Sequence, residues 1–174
     1  MNSKYLKSIA VLSLICLTIA ALLGVVNFIT APVIEQAEIE ATNKALAEVR
    51  PGADSFTPLT LTDYEGLDAT ITDIYSDTLG GYVVKLTTAG HQAGLVIMVG
   101  IDENGAVSGA KCLASAETYG EEKTYGDKTV GATAETIDSV ATVSGVTKTT
   151  KAYRNAVKAA LDAAIIISAK GGSQ

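Results

Sequence analysis

The sequence predicts an α+β protein: a single N-terminal transmembrane helix with a stalk, then an antiparallel sheet domain closed by a C-terminal helix. Three observations carry this expectation. Residues 8–34 hold no charged side chain and are mostly apolar. From about Asp68 the apolar residues recur at every second position, the period of a strand. From Lys148 to Ala169 they return to helical spacing.

The uncharged segment "SIAVLSLICLTIAALLGVVNFITAPVI" exceeds the roughly 20 residues that a helix needs to cross a hydrocarbon core. It also exceeds the roughly 7–15 apolar residues of a cleavable leader, so a retained anchor is expected. Lys4 and Lys7 precede it, whereas Glu35, Glu38 and Glu40 follow. Positive charge favours the cytoplasmic side, which puts the N-terminus inside and the rest outside. Pro32 is a place for a kink, but "EQAEIEATNKALAEV" resumes a helical pattern through Ile34, Ala37, Ala41, Ala45 and Leu46. Pro51-Gly52 ends it. The expected organisation is a cytoplasmic terminus at 1–7, an anchor at 8–34, a stalk at 35–52 and an extracytoplasmic domain at 53–174.

Four strands are expected in that domain. "ATITDIYSD" alternates, and "YVVKLTTAG" follows the Gly80-Gly81 turn. "GLVIMVGID" reads as a buried strand, and the tight turn "ENG" at 103–105 leads into "AVSGAKCLAS". Short turns between strands imply antiparallel pairing. The polar connector from Glu117 to about Thr136 reads as irregular. The last helix places Ala152, Ala156, Val157, Ala160, Leu161, Ala164 and Ile165 on one stripe. Its "AIIIS" run is too short for a second span and lies close to Arg154, Lys158 and Asp162.

Composition excludes several chemistries. A net charge of −6 and a pI near 4.7 argue against nucleic acid, whose phosphates demand clustered Lys and Arg. Cys16 and Cys112 make neither a disulfide framework nor a metal site. The "SLI" before Cys16 is a poor lipoprotein signal, and Cys112 reads as a small core residue. His91 is the only histidine, so no metal site and no histidine-based triad is expected, and with no tryptophan an aromatic cage is not expected either.

One stretch asks for an explanation: "TVSGVTKTTKAYRNAVKAALDAA", residues 142–164. Ser144 and Gly145 form a bare turn before Thr147, Lys148, Thr149, Thr150 and Lys151 at the head of the last helix. Two readings stand. Thr147 caps the helix by accepting a first-turn N–H. Alternatively, the first-turn N–H groups and the helix dipole hold an anion beside a hydroxyl. Lys148 and Lys151 then add positive charge, and Gly145 permits close approach.

"SGVTKTTKAYRNAV" resembles the "SGATxTS" motif of the FMN-binding domain family. That domain occurs in one component of the Rnf-type electron-transport complex and in one component of the sodium-pumping NADH:quinone oxidoreductase. The order of further blocks resembles the family as well: "TAPVIEQAEIEATNKALAEVRPGA" after the anchor, then "GYVVKLTTAGHQAGLVIMVGIDENGAVSGAKCLASAET" as the central sheet. "ETYG" at 117–120 stands where the family has "ETPG". The resemblance implies that a flavin transferase joins FMN to Thr147 through a phosphoester, within Ser144, Gly145, Val146, Lys148, Thr149, Thr150 and Lys151. It implies that Glu117 and Thr118 contact the ring or ribityl chain and that Tyr119 or Tyr125 stacks on the ring.

It also implies an electron-carrier component, of the Rnf type, in a bacterial cytoplasmic membrane complex, with integral membrane and flavin or iron–sulfur subunits as partners. Such a complex couples ferredoxin:NAD electron transfer to sodium or proton translocation, so the chain counts as part of an oxidoreductase. Val146 departs from the usual alanine and Thr150 from serine. Ala141 stands where the transferase pattern favours Asp, and Asp138 lies farther upstream. "DKTVGAT" offers a rival attachment residue, Thr133, six positions after Asp127 but with Val130 in place of a hydroxyl. Two other classes stay open: an anchored interaction or assembly module without flavin, and a stand-alone anchored flavoprotein.

Overall fold

The structure is a computed structural model that describes residues 3–171. Met1 and Asn2 of the expected 1–7 terminus, and 172–174 of the expected C-terminal domain, lie outside them. The chain divides into two compact units, Met1–Thr42 and Asn43–Gln174. Helix α1 runs over Ser3–Val49 with Pro32 inside it. It holds one segment, Val11–Val49, that is long and apolar enough to cross a membrane by length and composition.

The second unit contains a five-stranded antiparallel sheet in the order β1-β2-β3-β4-β5, with neighbours in sequence paired in space. Its strands are β1 (Phe56–Leu59), β2 (Ile71–Asp77), β3 (Tyr82–Ala89), β4 (Ala93–Ile101) and β5 (Val107–Ala114). The α+β class is therefore observed, with one strand more than the four expected. The added strand, β1, is only "FTPL", too short to show alternation. Its Pro58 sits on the sheet edge opposite Tyr75, where a missing N–H is tolerated.

Both sheet faces are buried, by different partners. Ile74, Val84, Leu86, Ile97, Val99 and Ile101 face one core, which they share with helix α3 (Thr147–Gly171). Neighbours one residue away, Val83 and Met98, point the other way and meet Ala45, Leu46 and Val49 from the end of α1. Full burial of each Val, Leu or Ile is worth about 1.5–3 kcal/mol, so the helix end is a structural part of the sheet. On α3 the buried stripe runs through Tyr153, Ala156, Val157, Ala160, Leu161, Ala164 and Ile167. Ile165, expected on that stripe, is 56% exposed. It lies roughly 100° round the helix from Ala164, beyond the contact with the sheet.

The end of α1 is locked by close packing and charge. Gly100 and Gly109 pair directly across β4 and β5. A Cβ on Gly109 would lie 2.9 Å from Val49 Cα, and one on Gly100 would strike the Val49 carbonyl. Ser108 Oγ donates to that carbonyl at 2.7 Å. Next in the chain, Arg50 is 6% exposed. Its Nε donates to Asp77 at 2.5 Å and its Nη2 to Glu103 at 3.0 Å. The Asp77 side chain is wholly buried and also accepts the N–H groups of Leu79 and Gly81. Burial disfavours its charge, but the Gly81 N–H, Arg50 and the Leu79 N–H together hold its pKa below the usual value.

The connector after β5 is not irregular throughout. It contains a short helix, α2 (Glu122–Tyr125), and 3₁₀ turns at Gly126–Thr129 and Ile137–Ser139. Tyr125 anchors it, packing edge-to-face on Tyr153 with centroids 5.5 Å apart and donating to Ala141 O at 3.2 Å.

A candidate cofactor cleft at the head of α3

Three segments meet where α3 begins: the β3–β4 turn, the stretch after β5 and the loop into the helix. The turn is closed by Gly90 N–H donating to Gln92 O at 3.0 Å. Gln92 N–H donates to Glu117 Oε1 at 2.9 Å, and Thr149 Oγ1 donates to Glu117 Oε2 at 2.8 Å. One carboxylate thus ties all three together. Gly90 has to be bare, because a Cβ there would run into Glu117 Oε1 and stand 3.2 Å from Thr149 Cα. Burial opposes ionisation of Glu117, but the Gln92 N–H, the Thr149 hydroxyl and the His91 N–H outweigh it and lower its pKa.

The loop into α3 turns at Gly145, whose φ is 88° and whose missing side chain faces open space. Thr147 is the first residue of the helix and does not cap it. Its hydroxyl donates to Val143 O at 3.3 Å, and among the described residues no first-turn N–H donates to it. Thr150 holds the loop instead: its buried hydroxyl accepts Val143 N–H at 3.2 Å and donates to Val146 O at 3.1 Å. The first intrahelical bond runs from Thr150 N–H to Val146 O. The N–H groups of Thr147, Lys148 and Thr149 have no acceptor among the described residues, as expected for a first helical turn.

These segments enclose a cleft of about 260 Å³, lined by residues 145–149, by 117–119 and by His91. Residues picked from two distant parts of the sequence, 117–119 and 145–149, therefore share one site. Thr147, Lys148, Thr118 and Tyr119 are exposed there, and Tyr119 is 77% exposed. Ser144 and Lys151 are exposed but line no part of it, while Thr150 is buried behind it. His91 is the lining residue that the sequence does not mark as a site residue. Glu117, bonded to Gln92 N–H and to Thr149, brings its turn to the head of α3, a contact with no local signature.

Two expectations are corrected. Tyr125 is a core residue against Tyr153, so it cannot stack in the cleft. Thr147 is not an N-cap, for the reason given above. The rival Thr133 stands outside the cleft, its hydroxyl 3.2 Å from Thr136 Oγ1 in the turn before Ile137–Ser139. Asp138 pairs with Lys158, and Arg154 donates to the carbonyls of Asp138 and Val140 at 3.1 and 3.0 Å. The loop leading to Gly145 is thus tied to the side of α3. Cys112 is half-buried; burial and then the Glu122 charge push its thiol up to about 11, which leaves it unreactive.

Residues 90–162 match the family model of the FMN-binding domain. The matched stretch starts at the β3–β4 turn, ends within α3 and contains every lining residue of the cleft. No curated protein matches the chain. The match supports a flavin-binding domain of the FMN type, with redox work as its function.

The cleft fits such a group in chemistry. Three free N–H groups and Lys148 answer a phosphate, and bare Gly145 lets it approach the backbone. Its volume is below the roughly 300–1,000 Å³ of pockets that enclose a drug-sized ligand, so it would grip a flavin and leave part of it open.

Proposed function

We propose that this chain is a membrane-anchored electron carrier whose FMN is joined to Thr147 through a phosphoester. The observation that carries the reading is the meeting of Thr147 with residues 117–119 in one cleft inside the family-matched stretch. Thr147 Oγ is exposed and has only a weak 3.3 Å bond to the Val143 carbonyl to give up. The first-turn N–H groups and Lys148 neutralise the phosphate, with Lys151 one turn further along adding charge. Bound FMN supplies the electron transfer. The protein binds it, orients it and needs no general base or nucleophile of its own for that task.

On this reading α1 anchors the chain with its N-terminus in the cytoplasm and the sheet domain outside. The anchored carrier serves an Rnf-type complex between ferredoxin and NAD, beside integral membrane and flavin or iron–sulfur subunits, coupled to sodium or proton movement. A flavin transferase matures it.

Intact mass after coexpression with a flavin transferase tests the attachment. The wild type gains one FMN less water, Thr147→Val gains nothing, and Thr133→Val behaves as wild type. Loss of the adduct in Thr133→Val alone moves the site to Thr133. A colourless wild type without any adduct removes the flavin reading and leaves an interaction or assembly module.

A further inference from the structure

We propose that His91 is a positioning residue for the flavin ring, forming with Tyr119 the aromatic grip of the cleft; this rests on FMN being held at Thr147. The cleft has one end suited to phosphate, made by residues 145–148. A tethered flavin that stays in the cleft extends from there over the remaining lining, which is His91, Glu117, Thr118, Tyr119 and Thr149. Among the lining residues only His91 and Tyr119 carry rings, and they arrive on two separate segments. Offset or edge contact between planar rings is favourable beyond the area it buries.

His91 is exposed, but its backbone is not loose. The turn carrying it is closed by the Gly90–Gln92 hydrogen bond and pinned to the head of α3 by Glu117. Gly90 allows that close approach. The backbone that carries the imidazole is therefore set before any ligand arrives, which lowers the ordering cost of contact. Tyr119, at the outer rim, makes no side-chain hydrogen bond or ring contact among the described residues. The two rings, one on the pinned turn and one on the segment after β5, then face the flavin from separate segments.

The test uses the full-length chain matured with a flavin transferase and solubilised in detergent. Intact mass first establishes the adduct in wild type, His91→Ala and His91→Phe. Quenching of flavin emission by iodide then reads how much of the ring is covered. In His91→Ala the adduct is retained and the iodide quenching constant rises at least about two-fold, since one stacking surface is gone. His91→Phe, which restores a flat ring, returns it to the wild-type value. Retained adduct with unchanged quenching in His91→Ala overturns the proposal and leaves the Thr147 reading intact. Absence of the adduct from wild type overturns the Thr147 reading and this proposal with it.

Discussion

Glu117 accepts a 2.8 Å hydrogen bond from Thr149 Oγ1, and through it the segment after β5 is fastened to the first turn of α3. The same carboxylate holds the β3–β4 turn through Gln92 N–H. Replacing it with alanine strands a buried threonine hydroxyl and frees a turn. Because Glu117 is half-buried, the cost is expected at the lower end of the range for such losses, about 1 kcal/mol. Urea unfolding of Glu117→Ala against wild type measures it.

The pH dependence follows from the same contacts. The folded-state pKa of Glu117 is lowered, so its stabilising contribution is present above the unfolded value of about 4.3 and disappears as pH falls through the lower, folded value. Glu117→Gln is expected to be less stable than wild type at neutral pH and to converge with it in acid, which flattens the stability curve below about pH 5. A difference from wild type that is largest in acid contradicts this assignment.

Gly90→Ala is expected to cost about 1–3 kcal/mol, because the new methyl overlaps Glu117 and crowds Thr149 at a point where both are held. Pairing it with Glu117→Ala separates the causes. In that background much of the penalty is relieved, and a double-mutant cycle reads the coupling.

Asp77→Asn should be the most destabilising of these changes, by about 3 kcal/mol, since it leaves Arg50 buried with only the exposed Glu103 as a charged partner. The lowered pKa of Asp77 gives the same sign as for Glu117: stability is lost as pH falls through the folded value. Thermal unfolding of the variant at neutral pH checks the magnitude.

Tyr153→Phe is expected to be neutral or slightly stabilising, within about 1 kcal/mol. The Tyr153 hydroxyl is buried and has no hydrogen-bond partner among the described residues. Removing an unpaired buried hydroxyl forfeits no bond and leaves the ring contact with Tyr125 in place. A loss of several kcal/mol would mean that an ordered water bridges it.

Much of the fold is legible in the sequence because its periods are strong. The apolar runs "YVVKLTTAG" and "GLVIMVGID" report two buried faces, and Val83 and Val84 do go to different cores. The α3 stripe reads nearly as it packs, missing at Ile165, which points away from the side that Ala164 and Ile167 bury. β1 is invisible because four residues with a proline carry no period. At the site, Thr147 stands out by its surroundings in the chain, and residues 117–119 by the resemblance of "ETYG" to a family block. His91 does not, since its place depends on the contact of its turn with Glu117, distant in the sequence. Tyr125 misleads because a tyrosine in a polar loop gives no hint that another tyrosine waits beneath it.

The pairing of Gly100 with Gly109 makes a seat for main chain, not for a side chain. What rests in it is the peptide of Val49, so another apolar residue could stand at 49 without altering the fit beneath. The strands enjoy no such liberty: a single methyl at 100 or 109 would unseat the helix end and bring Arg50 out of reach of Asp77. Two residues with nothing to offer chemically are in this way among the hardest in the domain to replace.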